Sequence, residues 1–338
     1  MKTILLYCFL ATAVAGAAQD TVALHSIFDP AGDSVLHLTI HTDWKNLLAE
    51  KKEGAYQTAE LSVPEWAFAG AVKIKARGNM RRNICDFPPL KIKFRKADLH
   101  AAGLLPFNEC KLVVQCGNND NSKSYINREY LAYQLFHQYS PYSFRVKRVQ
   151  LSVHFARRKQ LDSLQLQGFL IESEEELGAR FLGKSMDYEV CSPSHINQQL
   201  LQEMAAFQFL IGNTDWYCWN LHNLKVFRME GYDKLVPVPY DFDYAGIVDA
   251  HYATPHASLP IKDVKQRCFM GEACTPEEAA VLGQHLMDFQ PNLIELVKKA
   301  DYIGETEKNM MLRYLESGYR QLAEPGAAAA LFKKRSPR

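Results

Sequence analysis

The residues of this chain best suited to do chemistry are three carboxylates and an amide in two short segments. Asp215 ends a polar loop, Gly212-Asn-Thr-Asp215, that follows an apolar run closing at Ile211. Asn220 and Asn223 come next, and Asn223 directly precedes the apolar stretch Leu224-Lys-Val-Phe227. After a turn, a second apolar stretch over 235–240 ends in Asp241-Phe-Asp243. A loop carboxylate can orient or deprotonate a hydroxyl group. An amide oxygen and a second carboxylate, each at a strand end, can hold a hard divalent cation. An oriented acceptor and oxygen ligands for a metal on the phosphates are what phosphoryl transfer requires.

Within this set Asp215 is the candidate general base, and Asp241 the candidate metal ligand. For the amide ligand, Asn220 stands with four residues between it and Asp215, whereas Asn223 sits where the strand begins; Asn223 is preferred. Asp243 either adds a metal contact or caps the turn at Gly246. Phosphates also need positive charge. Lys91 and Lys93 share one face of the alternating stretch 89–94, and Lys91 is the preferred phosphate contact. Glu129, in the helical stretch 125–139, could pair with that lysine. Arg77 and Asn79 flank Gly78 in a connector where backbone can approach phosphates closely and a guanidinium can fork onto them. The competing account of each is ordinary: solvated strand lysines, a surface glutamate, a hairpin turn and a turn-capping Asp.

These residues need a scaffold. Residues 34–42, 71–76 and 89–94 alternate as strands do, and 111–116, 144–155 and 166–171 also read as strands. One helix, 125–139, interrupts them, with Ile126, Tyr130, Tyr133 and Phe136 among its apolar face. Beyond Glu172 helices prevail, at 174–181, 196–210, 276–286, 292–299 and 305–322. The expectation is an α+β protein: a mostly antiparallel sheet with one inserted helix over 19–171, and a helical half carrying the catalytic loop over 172–325. Glu172 marks the hinge between them, where a nucleotide base would bond to backbone groups.

Six segments, in order, carry a resemblance. They are Ala76-Arg-Gly-Asn-Met-Arg-Arg82, Phe87-Pro-Pro-Leu-Lys-Ile-Lys-Phe94, Asn127-Arg-Glu-Tyr-Leu-Ala-Tyr133, Gly168-Phe-Leu-Ile-Glu172, Ile211-Gly-Asn-Thr-Asp215 and Pro239-Tyr-Asp-Phe-Asp243. As a set they resemble the CotH-type kinase-like proteins, atypical kinases related to spore coat protein H, and most of all an uncharacterised exported bacterial subgroup. The Gly-Asn-Thr-Asp element is also similar to HipA-type kinases. The resemblance implies a two-lobed, protein-kinase-like fold that binds ATP with Mg²⁺ or Mn²⁺. It further implies transfer of the γ-phosphoryl group to a protein or another hydroxyl acceptor. One departure stands out: Phe87-Pro88-Pro89 occupies the place where the family often has paired lysines.

The N-terminus has a short charged start (Lys2), an apolar run over 4–14 and small residues at 13–18, which reads as a secretory signal peptide over 1–18, cleaved after Ala15, Ala17 or Ala18. The expectation is export to the periplasm, cell surface or medium, with no transmembrane segment in the mature chain. The formal net charge of +1 argues against nucleic acid as a partner. Apart from Cys8, the cysteines are Cys85, Cys110, Cys116, Cys191, Cys218, Cys268 and Cys274. In an oxidising compartment some should pair, and the odd number leaves a free thiol. Cys268 and Cys274 make a plausible local bridge, whereas an extended strand would hold Cys110 and Cys116 apart. No paired Cys-x-x-Cys motifs suggest zinc. The Ala-rich, basic stretch 326–338 reads as a flexible tail. Three rival functions share these residues: a pseudokinase or envelope scaffold, a carboxylate-dependent hydrolase using Asp215 and Asp241, and a surface module binding calcium through Asp241 and Asp243.

Overall fold

The computed structural model of the chain describes residues 24–29, 34–157 and 160–333, and the expected signal peptide lies outside these. The first half is built on seven strands: β1 (Leu36–His41), β2 (Gln57–Val63), β3 (Phe68–Ala76), β4 (Leu90–Lys93), β5 (Glu109–Val114), β6 (Val146–Arg157) and β7 (Gln160–Ile171). They close into a barrel in the order β1-β2-β3-β4-β5-β7-β6. Alternation decides which side chains fill it. Leu36, Leu38, Ile40, Ile74, Leu90, Ile92 and Leu112 form its core. Lys75, Lys91 and Lys111 sit opposite one another on the other face of β3, β4 and β5.

The barrel corrects the expected sheet. All neighbours pair antiparallel except β1 and β6, whose parallel ladder of Leu36 with Val149 through His41 with His154 closes the ring. That pairing joins strands far apart in the chain, which a local period does not encode. Three short helices, α1 (Trp44–Ala49), α2 (Met80–Ile84) and α3 (Lys96–Ala101), accompany the expected long one, α4 (Asp120–Tyr139). Helices of five or six residues are too short to show a 3.6-residue period. A closed seven-stranded barrel does not clearly match a two-lobed kinase architecture; what stands is the α+β class, strands first and helices after.

The second half contains α5 (Glu174–Arg180), β8 (Lys184–Met186), α6 (Gln198–Ile211), β9 (Leu224–Arg228), β10 (Val236–Pro239), α7 (Pro276–Asp288), α8 (Gln290–Lys299), α9 (Glu305–Ala323) and α10 (Ala327–Leu331). A small antiparallel sheet, β10-β9-β8, carries the second candidate segment. Where composition suggests a flexible tail from Gly326, α10 forms, and Phe332 is fully buried against Phe209 and Phe269, with ring centroids 5.6 and 4.9 Å away. Burying one aromatic ring outweighs the weak ordering of a five-residue helix.

Helix α4 joins the halves. Asn119 caps it, its Oδ1 accepting the Ser122 N–H at 2.9 Å. Tyr130 and Tyr133 pack on Phe169 of the barrel at 5.8 and 5.6 Å, and Phe136 packs on Phe207 of α6 at 5.0 Å. Because both sides of α4 are covered, Glu129 is buried and must find a partner.

Among the described residues one disulfide is present, Cys85–Cys116, which ties the connector after α2 to the end of β5. The expected Cys268–Cys274 bridge is not formed among the described residues. The sequence separation of 31 between Cys85 and Cys116 hides a proximity that β3-β4-β5 pairing creates. The Asp86 and Phe87 N–H groups both donate to the Cys116 carbonyl, at 3.0 and 3.3 Å. As expected, Cys110 and Cys116 are not joined; Cys110 is buried in the barrel core. No helix among the described residues is long and apolar enough to cross a membrane.

Candidate active site

A cleft of about 440 Å³ opens between the barrel and the helical half. The connector contributes Arg77, Gly78, Asn79 and Arg81; β5 contributes Val113; the far wall contributes Asp215, His222, Asn223, Tyr240, Asp241 and Asp243. Six of the predicted site residues therefore share one cavity, although they come from three separate segments.

The loop carrying Asp215 is set by the end of α6. Gly212 caps that helix at φ +70°, a conformation costly for other residues, and a Cβ there would run into the Tyr314 hydroxyl. Buried Asn213 then accepts the Asp215 N–H at 3.0 Å and donates to Gln208 Oε1 at 3.1 Å. The Asp215 carboxylate is held at both oxygens: Oδ1 lies 3.0 Å from His222 Nε2, and Oδ2 accepts from Asn223 Nδ2 at 2.9 Å. Asn223 also donates to the Asp215 carbonyl at 2.7 Å. Asn223, not Asn220, faces the cleft; exposed Asn220 accepts the His222 N–H at 3.2 Å.

Asp241 lies just beyond the end of β10 and has φ +64°, and Asn223 has φ +50°. Left-handed backbone at residues other than glycine costs of order 1 kcal/mol and persists where surrounding structure enforces it. The enforcement is visible. Asp241 N–H donates to the Tyr133 hydroxyl at 2.8 Å, and Tyr240 N–H donates to the Asn223 carbonyl at 3.1 Å. Among the described residues the Asp241 carboxylate has no ion-pair partner.

Behind the cleft lies a buried charge cluster. Arg81 Nη2 donates to Glu129 Oε2 at 2.6 Å, and Arg81 Nε donates to the Tyr252 hydroxyl at 2.8 Å and lies 3.1 Å from Asp243 Oδ2. The Tyr252 hydroxyl donates in turn to Asp243 Oδ2 at 3.0 Å. One guanidinium thus serves two buried carboxylates, with Asp241 beside them. Burial, only partly offset by Arg81, pushes Glu129 up to about 7, and burial with the nearby Asp241 charge pushes Asp243 well above the usual carboxylate range. Glu129 Oε1 is buried without a hydrogen-bond partner.

Two predicted roles meet different neighbours. Lys91 is 2.6 Å from Glu109 on the barrel exterior and does not line the cleft; Lys93 reaches the same glutamate at 3.5 Å. The cation on Glu129 is Arg81. Strand alternation assigns Lys91 to a face, but barrel closure decides what that face meets. Asp243, expected near a metal, spends its carboxylate on Arg81 and Tyr252.

The residues missed from sequence are Arg81, Tyr133, His222, Tyr252 and Lys111. Arg81 lies in the same connector as Arg77 and Asn79, and its spacing gives no sign that it turns inward. Lys111 sits beside the cleft with its amine 5.1 Å from the Tyr240 ring and 5.3 Å from that of Phe144, and 3.2 Å from Glu174. Burial lowers its pKa to about 8.

The donors fit a hard divalent cation. Asp241 offers an unpaired carboxylate, and Asn223, whose Nδ2 is engaged, offers its amide oxygen. Among the described residues no three His, Cys, Asp or Glu side chains form a cage. That suits magnesium, which takes one or two protein oxygens and completes its octahedron with phosphate and water. The excess of carboxylates over Arg81 and the orphaned Glu129 oxygen favour added positive charge here.

The Asp215–His222 contact yields a first prediction. The hydrogen bond to Asp215 raises the His222 pKa above its ordinary 6.5, so the pairing contributes fully below that pH and is lost as pH rises through the folded value. An NMR titration of His222 should show a midpoint above 6.5 in the native protein that falls back in Asp215→Asn. An unchanged midpoint in the variant would refute the contact.

No family model and no curated protein matches this chain. Among solved structures, the Helicobacter pylori proinflammatory kinase CtkA superposes with a TM-score of 0.37 at 8% identity, over 66% of this chain and 90% of that one. A likeness of that size carries no argument about this chain, whereas the side chains of the cleft do.

Proposed function

We propose that this protein is an exported phosphotransferase that takes a nucleoside triphosphate with Mg²⁺ or Mn²⁺ and transfers the γ-phosphoryl group to a protein or other hydroxyl acceptor. The observation that carries it is the convergence of Asp215, Asn223 and Asp241 on one cleft, two of them in enforced left-handed backbone. In this reading Asp215 orients the acceptor hydroxyl and takes its proton, while Asn223 fixes the rotamer of Asp215. Asp241 and the Asn223 amide oxygen would hold the cation, whose chemistry is to neutralise charge on the phosphates. Arg77 and the Gly78 and Asn79 backbone, which line the cleft, would cover those phosphates. Glu129 keeps Arg81 in position, the service a helix glutamate gives a strand lysine in kinases.

The test is the melting temperature with ATP and Mg²⁺ or Mn²⁺, since a ligand that binds only the folded state raises it. At about 100 times Kd the gain is roughly 2.7 kcal/mol, a shift of several degrees. The shift should need both nucleotide and metal and should vanish in Asp241→Ala. No shift with any nucleotide and metal would sink the proposal.

A second reading is favoured by one feature. Arg81 is enclosed by Glu129, Asp243 and Tyr252, and among the described residues no lysine lines the cleft, Lys111 of β5 standing only beside it. A protein that binds nucleotide without turnover would tolerate that arrangement, and it would suit an exported chain, since ATP is scarce outside the cytoplasm. Such a protein would show the melting shift but no phosphorylated product.

A further inference from the structure

Two free cysteines, Cys191 and Cys218, lie in segments joined by a backbone hydrogen bond next to the loop that carries Asp215. The Tyr217 N–H donates to the His222 carbonyl and the His222 N–H to the Tyr217 carbonyl, both at 3.0 Å, so residues 217–222 form a tight loop with Cys218 near its start. Cys191 N–H donates to the carbonyl of Trp219, the next residue after Cys218, at 2.8 Å. Buried Cys191 and half-buried Cys218 border the same apolar core, and the Cys191 thiol is close enough to act electrostatically on that of Cys218. The chain already carries the Cys85–Cys116 bridge, as proteins folding in an oxidising compartment do. Cys110, by contrast, is enclosed in the separate barrel core.

We propose that Cys191 and Cys218 form a second disulfide, which staples the Asp215 loop to the segment that leads into α6. The oxidant is a protein or small-molecule disulfide. The Cys218 thiolate attacks one of its sulfurs, forming a mixed disulfide and releasing one thiolate. The Cys191 thiolate then attacks Cys218 Sγ and releases the other. Two cysteine protons leave, and the oxidant's disulfide becomes two thiols. Burial pushes Cys218 up to about 12 and raises Cys191 as well, so little thiolate exists in the finished fold. The bond therefore forms during folding, and the cross-link is structural. It holds the backbone three residues past Asp215 whatever reaction the cleft performs, so it stands apart from the phosphotransferase reading.

The experiment folds the full chain with oxidised glutathione, blocks thiols with N-ethylmaleimide under denaturing conditions, and digests without reduction for mass spectrometry. Samples are scored when Cys85–Cys116 is linked. The expected result is a second linked peptide pair joining Cys191 to Cys218, with neither of these two carrying the blocker. Blocker on both Cys191 and Cys218, or a link from either to another cysteine, overturns the proposal. As a second measurement, reduction should lower the melting temperature of the wild type by several degrees more than that of Cys218→Ser. Equal falls also overturn it.

Discussion

Replacing Arg81 with methionine should destabilise the protein by about 3–5 kcal/mol, because it leaves two buried carboxylates without their cation. Glu129 and Asp243 both lose their ion pair, and Tyr252 loses the guanidinium that donates to it. The pH dependence separates this from a packing defect. Glu129 is already raised to about 7 and Asp243 well above its usual range, so both favour the protonated form in the folded state. For an acid with a raised folded pKa, stability is greatest below the unfolded pKa and falls as pH climbs toward the folded one. Without Arg81 the folded values should rise further. The loss measured by urea unfolding should therefore be small near pH 5 and full near pH 8. A loss that is the same at both would show that Arg81 acts through packing alone. Glu129→Gln in the Arg81→Met background should restore part of the stability, since an amide is far cheaper to bury than a carboxylate.

If the protein is the phosphotransferase proposed above, Asp215→Asn should lower phosphoryl transfer by about 10²–10⁴-fold, the usual worth of a positioned general base. The change keeps the shape of the side chain and leaves Asn223 an oxygen to donate to, so the loop should stay in place. Nucleotide binding should survive, with a metal-dependent melting shift close to that of the wild type. Asp241→Ala should lose both the shift and the transfer. If Asp215→Asn turns over normally with an acceptor that the wild type phosphorylates, Asp215 is not the base. Equal loss of binding in the two variants would assign Asp215 to the ligand site instead.

The candidate site was legible in sequence to different depths, and the division follows the range of the interactions. Asp215 and Asp241 each follow an apolar run and Asn223 directly precedes one, so all three stand where the chain passes between an apolar element and a loop. That signal is local, so it needs only the neighbouring residues. Arg77 and Asn79 were legible for the same reason, in a polar connector between two alternating strands. Arg81 was not. It pairs with Glu129 across 48 positions of chain, and only the seating of α4 against the connector brings them together. Lys91 illustrates the limit from the other side. A period of two gives its face but not its neighbours, and in the closed barrel those are Glu109 and a row of lysines rather than Glu129.

By itself the sequence determined that strands come first and helices after, the apolar faces of β1 and α4, and the carboxylates and amide beside apolar runs, because each depends on residues within one or two turns of chain. Tertiary structure alone decided the rest. It closed the barrel through the parallel β1–β6 pairing and chose Cys116 as the partner of Cys85. It buried Phe332 where composition suggested a loose tail, and it gave Glu129 an arginine in place of a lysine. Each of those outcomes is a contact between distant segments, selected by which surfaces must leave water together, and no window of local sequence contains that information.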